Sequence, residues 1–321
     1  MRGLTLFVSE NIAECKIRRE DSIMNEVYIF NIASLAVKSI ILSASAYPKP
    51  GLVTPLDNNA LDGSDFPGLV DSAMSLFQCF INLASAGADT ESLRPSEAYT
   101  ILKSPGRIGS NDSLLATRGK FAVKGHIFCM GLLCAAAGKL IAQKRILTPG
   151  ALALTASAFA QGITARELWP LTDTGNMKVL TPGEKAYMSY GLEGCRGEAE
   201  NGYIQTLKAV ETLRKLEAMH GNLSLRERLS HTLITIMAEN QDTEIAGRMG
   251  ISELMRIQDE AKRVLDAGGM LTPEGIAAVM EFDRALRSRG AAPNGSGVIL
   301  SCAVLIPELV KMKLTRSGYD E

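Results

Sequence analysis

Aromatic residues are scarce in this chain, 5% of 321 residues with one tryptophan, and alternating runs of Val, Ile and Thr are scarcer still. Both shortages argue against sheets, whose pleated surfaces favour β-branched and aromatic side chains. Ala, Leu and Met are frequent instead, and at 46% hydrophobic with 21% charged residues the composition is that of a well-cored globular protein rather than a disordered one. An all-α fold is expected, as a single multi-helix domain with a cleft lined by loops.

Net charge is almost absent as well. The 34 basic and 35 acidic residues leave −1, which excludes the broad basic footprint of a protein that binds nucleic acid or an anionic membrane surface. Phosphate recognition, if present, has to be local. The six cysteines, Cys15, Cys79, Cys129, Cys134, Cys195 and Cys302, show no CxxC spacing, and only His126, His220 and His231 could join them. A zinc site is not expected on those grounds. Without a secretory signal, reduced thiols in a cytoplasmic protein are. The apolar stretch 27–46 is interrupted by Asn31, Lys38 and serines, so it reads as a buried core helix and not a membrane span. Residues 1–23 are polar and irregular and are set aside as an N-terminal extension, leaving 24–315 as the domain. Homo-oligomer formation is left open.

What the sequence does contain is clear helix punctuation. Thr148-Pro149, Thr181-Pro182 and Thr272-Pro273 each place a capping hydroxyl before a proline, whose missing N–H is harmless at the first helical position. Thr181 with Glu184 and Ser224 with Glu227 complete capping boxes. Leu225, Leu229, Leu233, Ile236 and Met237 form one apolar stripe behind the second of these. A further amphipathic helix is expected over 251–265, ending at Gly268-Gly269. Between helices lie polar runs at 47–68, 104–125, 170–203, 240–250 and 288–301, longer than helix packing needs and therefore the places to look for function.

The richest of these runs is TPGEKAYMSYGLEGCRGEAENGY, 181–203. Gly191, Gly194, Gly197 and Gly202 free the backbone beside Glu193, Arg196, Glu198 and Glu200, charges that are costly to bury without partners. Arg196 could fork onto a phosphate while Glu198 and Glu200 hold a metal or act as acid and base. In a second run, prolines flank Lys49 ahead of Gly51, Asp57, Asn58, Asn59, Asp62 and Asp65. Clustered hard oxygens are what Mg²⁺ on a polyphosphate requires, although an ordinary Asx-rich turn explains them equally well. Arg118-Gly119-Lys120 and Lys124-Gly125 precede an apolar helix over 127–140 and suit a phosphate at its start, or a solvated basic turn. Gly131 to Lys139 is not a P-loop, because Leu140 stands where Ser or Thr is required. Gln241-Asp242-Thr243 with Arg248, which helix capping alone explains, and the turn that contains Ser296, which the start of a core helix explains unless a ligand approaches its backbone, complete the set.

Taken in order, PKPGLV (48–53), DNNALDGSD (57–65), KGHIFCMGLLCAAAG (124–138), GLEGCRGEAENGY (191–203), DTEIAGRMG (242–250) and PNGS (293–296) resemble the motif series of the triphosphoribosyl-dephospho-CoA synthase family over about residues 24–310. The resemblance implies an all-α enzyme that joins ATP to 3′-dephospho-CoA with release of adenine. That reaction makes the prosthetic-group precursor of citrate lyase or malonate decarboxylase. It further implies Asp65, Glu198 and Asp242 as catalytic and Mg²⁺-binding carboxylates. Lys49, Gly51, Asn58, Lys124, Gly125, Arg196, Glu200, Thr243, Arg248 and Ser296 would bind the nucleotides. The family pattern usually has His and a paired Asp-x-Asp where this chain has Leu61 and only Asp65. It has Asn and His where Phe121 and Val123 stand, and Asp where Val298 stands. A metal-dependent hydrolase of an N-glycosidic or phosphate bond, or a nucleotide-binding paralogue without turnover, would use the same inventory.

Overall fold

In the computed structural model the described residues are 25–90, 92–117, 123–171 and 180–312. The N-terminal extension 1–23 and the residues Arg118, Gly119, Lys120 and Phe121 lie outside them. Among the described residues there are helices and no strand, as the scarcity of β-formers requires. Helix α1 spans Asn25–Ala44 and buries Ile32, Ala33, Ala36, Val37 and Ile40, a stripe at helical spacing. It joins a core cluster with α2 (Phe66–Ser75), α3 (Phe77–Asp89), α4 (Pro95–Ala116), α5 (Lys124–Ala142), α6 (Pro149–Ala160) and α7 (Ile163–Glu167). After a 3₁₀ turn at Trp169–Leu171 come α8 (Pro182–Tyr190), α9 (Gly194–Glu200), α10 (Ile204–Met219), α11 (Leu225–Glu239), α12 (Thr243–Met249), α13 (Ile251–Asp266), α14 (Pro273–Arg289) and α15 (Asn294–Val310). Most of these pack a second cluster, around Leu229, Leu233, Ile257, Val279 and Leu286. The two clusters share α15, which gives Cys302, Leu305 and Leu309 to the first and Ile299, Leu300 and Ala303 to the second.

The expected caps are in place. Thr148, Thr181 and Thr272 accept the N–H groups of Ala151, Glu184 and Gly275, and both capping boxes close. Each such cap is worth about 1 kcal/mol. Helix α13 stops at Gly268 and Gly269, both at positive φ. The expected loops are shorter than the sequence suggested. α4 continues through Pro105, Gly106 and Gly109 to Ala116, and most of 182–200 and 243–249 is also helical. At Gly109 a Cβ would fall 2.4 Å from the Cys79 sulfur, so a residue that reads as a helix breaker instead lets α4 close onto α3.

Helix α5 lies at the centre of the first cluster, against α3, α4, α6, α9 and α15. From Ile127 to Gly138 it is apolar on every face, as a helix buried on most sides must be. It meets α3 backbone to backbone: a Cβ on Gly138 would stand 2.0 Å from the carbonyl of Ala84, and one on Gly87 equally close to that of Ala135. By length and hydropathy α1, the segment Phe66–Asp89 and α5 could each cross a membrane, but 72% of the α5 window is buried inside the fold, against 50% for α1.

Candidate active site

The RGEAE segment, 196–200, forms most of α9, and α9 starts against α12. Gly194 is at φ 56°, and a Cβ there would approach Thr243 Oγ1 to 2.7 Å. Only glycine allows this contact between the two helix starts. Two turns of chain are thereby brought together, the one that carries Glu198 and the one that carries Asp242.

Glu198 reaches forward onto the start of α10. Its Oε1 accepts the N–H and the hydroxyl of Thr206, each at 2.8 Å, and its Oε2 accepts the N–H of Gln205 at 3.3 Å. Asp242 is buried, at 3% exposure, between the starts of two helices. Its Oδ1 accepts the N–H of Glu244 in α12 at 3.1 Å, and its Oδ2 accepts the N–H and the hydroxyl of Ser296 in α15 at 2.8 and 3.0 Å. Burial raises its pKa above the ordinary carboxylate value, against the hydrogen bonds from Ser296 and Glu244 that favour the ionised form. Asn240 Nδ2 donates to Ser296 Oγ at 3.0 Å and closes the network.

Glu198, Asp242, Thr243, Thr206 and Asn240 line one niche of about 30 Å³, whose remaining lining includes Cys129, Cys195, Val298 and Cys302. That volume admits a water or a single hydroxyl group, not a nucleotide. The thiols are protonated near neutral pH: hydrogen bonding to Cys129 and burial push the Cys195 thiol up, and burial does the same for Cys302.

Lys49 is a second buried charge, at 5% exposure. Burial lowers its pKa from 10.5 to about 7. His126, in the first turn of α5, is held neutral by burial and by the Lys49 charge, with its pKa lowered to about 4. Its Nε2 lies 3.3 Å from Ser301 Oγ on α15. The loop that carries Lys49 is fastened to α14. Gly51 N–H donates to Asp283 Oδ1 at 2.8 Å, and Arg287 bonds Asp283, the carbonyl of Leu52 and that of Asn58.

Other expected residues are engaged elsewhere. Asp65 is exposed and caps α2 through the N–H of Gly68 at 2.9 Å. Asp57 and Asp62 likewise accept bonds from Thr54 and Ser64 in their own turns, which is the Asx-turn chemistry of such clusters. Asn58 is exposed, and only its carbonyl is engaged by Arg287. Glu200 caps α7, accepting the N–H groups of Gly162 and Thr164 at 2.6 and 3.0 Å. Arg196 turns to Glu167 at 3.0 Å, and Arg248 pairs with Glu244 one turn back on α12. Lys124 opens α5 at the surface. Gly125 next to it lies against Val298 and Cys195, at the edge of the niche.

Among the described residues no group of three His, Cys, Asp or Glu could hold a metal, so the expected cage of Asp65, Glu198 and Asp242 does not assemble, Asp65 being used as a cap. A Mg²⁺ that rides on substrate phosphates needs only one or two carboxylates. Glu198 and Asp242 fit that smaller demand, because each keeps one oxygen with a single hydrogen bond. Sequence reasoning missed His126 as a partner of Ser301, Glu167 as the anchor of Arg196, and the Asp283–Arg287 brace. Only the brace left a signal, an Asp and an Arg four residues apart on a predicted helix. Two departures from the motif pattern are apolar where they stand: Val298 lines the niche and Val123 is buried.

A sequence model of the ATP:dephospho-CoA triphosphoribosyl transferase family matches residues 29–316. No solved structure matches the chain.

Proposed function

The chain belongs to the ATP:dephospho-CoA triphosphoribosyl transferase family and is a transferase; from that premise we propose how its residues divide the work. The single observation that carries the reading is the niche in which two carboxylates from different segments, Glu198 and Asp242, face a space the size of one hydroxyl group. The 2′-hydroxyl oxygen of dephospho-CoA bonds to the anomeric carbon of the ATP ribose as the bond from that carbon to adenine N9 breaks. Adenine leaves with the bonding electron pair, and the proton of the hydroxyl ends on adenine. The triphosphate stays intact.

Glu198 is assigned to receive the hydroxyl proton in transit and to stabilise the cationic sugar, as carboxylates do in glycosyl transfer. It is the more accessible of the two and is held in place by three donors from α10. Asp242 fixes Ser296 and the starts of α12 and α15 around the niche, and its Oδ1, which carries a single hydrogen bond, would hold Mg²⁺ bound to phosphates. The ion, when bound, neutralises triphosphate charge. Lys49, whose charge acts on His126 of α5, is assigned to a phosphate, since burial in low dielectric strengthens its pull on an anion.

The test is incubation of the purified protein with ATP, Mg²⁺ and dephospho-CoA, with chromatography for free adenine. Release of adenine that requires the acceptor is expected. Glu198→Gln should lower it at least 100-fold, a general acid–base contribution, whereas Glu200→Gln, whose carboxylate only caps α7, should stay within a few-fold of wild type. No adenine at any enzyme concentration would remove the transfer reading.

A further inference from the structure

A larger cavity, of about 300 Å³, lies between α3, α4 and the outer face of α5. Its floor is Leu83, Leu102, Ile127 and Leu132, and Lys103, Arg107 and Lys124 also line it. Among the described residues no acidic one does. Lys103 is shared with Glu167 at 3.3 Å, while Arg107 and Lys124 have no ion-pair partner among the described residues. An apolar chamber with unneutralised cations at its edge fits a ligand with an uncharged chain at one end and a phosphate at the other. Leu83, Leu102, Ile127 and Leu132 make that floor aliphatic, which suits a methyl-bearing chain.

Its position relates it to the niche. Ile127, Phe128 and Leu132 of α5 line this cavity, while Cys129 of the same helix lines the niche. On α9, Arg196 turns through Glu167 to Tyr99 and Lys103 on the cavity side, while Cys195 and Glu198 line the niche. Lys124 belongs to the cavity and Gly125 to the edge of the niche. The start of α5 is thus the place where one molecule could lie across both.

We propose that this cavity binds the phosphopantetheine arm of the acceptor, with Lys103, Arg107 and Lys124 on its phosphate and the aliphatic floor under its dimethyl-bearing chain. The assignment rests on the transfer reading for the identity of the acceptor. Tyr99 and Ser110, also in the lining, supply hydroxyls for the two amides of the arm, which would otherwise be buried unpaired at a cost.

Gly106 provides the probe. A Cβ there would meet only Ile127, at an ordinary 3.5 Å, so a larger side chain enters the cavity without a clash, and replacing glycine inside a helix favours folding. The measurement is calorimetric titration of the full chain with 4′-phosphopantetheine, for wild type, Gly106→Leu and Arg107→Glu. Binding by wild type, weakened at least tenfold in both variants, is expected. In the adenine assay the KM for dephospho-CoA should rise by a similar factor in Gly106→Leu, with the KM for ATP unchanged. Failure of wild type to bind, equal binding by all three proteins, or equally tight binding of decanoate would overturn the assignment. Titration needs no turnover, so it decides the cavity whether or not adenine is released, and a failed adenine assay bears on the transfer reading alone.

Discussion

Lys49 shows what burying one charge does at the scale of a residue. Its pKa in the fold, about 7, lies below its ordinary 10.5, so between those values the unfolded chain binds the proton and the folded chain does not. Stability therefore rises with pH across that window, and the full cost is borne below pH 7. A shift of this size corresponds to about 5 kcal/mol. Lys49→Met should be more stable than wild type at pH 6.5, and the gap should shrink by about 1.4 kcal/mol per pH unit above pH 7. Urea denaturation at pH 6.5 and 9.5 checks this, and a gap that stays constant would show that the ammonium is not desolvated. Adenine release by the same variant should fall, since the cation that destabilises the empty protein is the one assigned to phosphate. A residue kept against its own stability cost is what a ligand-facing charge looks like.

Helices meet here through glycine, and α12 is the sharpest case at the scale of elements. A Cβ on Gly247 would lie 1.9 Å from the carbonyl oxygen of Pro182 at the start of α8, with backbone on both sides and no flexible atom to yield. Gly247→Ala should cost about 2 kcal/mol or more, as overpacking does, seen as a lower urea midpoint. It should also lower adenine release, because α12 begins at Asp242. This contact explains why helix caps could be read from the sequence while the site could be read only in part. Thr148, Thr181, Ser224 and Thr272 bond within three residues of themselves, so their geometry is written locally. Asp65 and Glu200 carry the same local signature as the carboxylates of the niche, yet each caps a helix, and nothing nearby in sequence separates them from Asp242. Asp242 was legible as a capping residue; that α15 presents Ser296 to it, 54 positions away, was not. Gly106 and Gly109 misled for the opposite reason. Their sequence context suggests a loop, but α3 and α5, both distant in the chain, select the helix.

At the scale of the whole molecule, α15 sits in both core clusters, so neither can lose its packing without disturbing the other. Leu300→Ala, at a fully buried position, should cost about 2–5 kcal/mol and lower one cooperative transition. Equal calorimetric and van't Hoff enthalpies would confirm a single unit, and a variant melting in two steps would refute it. Helix α5 couples function in a comparable way. Side chains next to each other along it face different chambers, and its backbone is locked against α3 with no room to give. A small displacement of that rod along its axis would be felt on both sides together. A ligand that tightened it from one side would therefore alter affinity on the other, and thermodynamic reciprocity would make the factor the same in either direction.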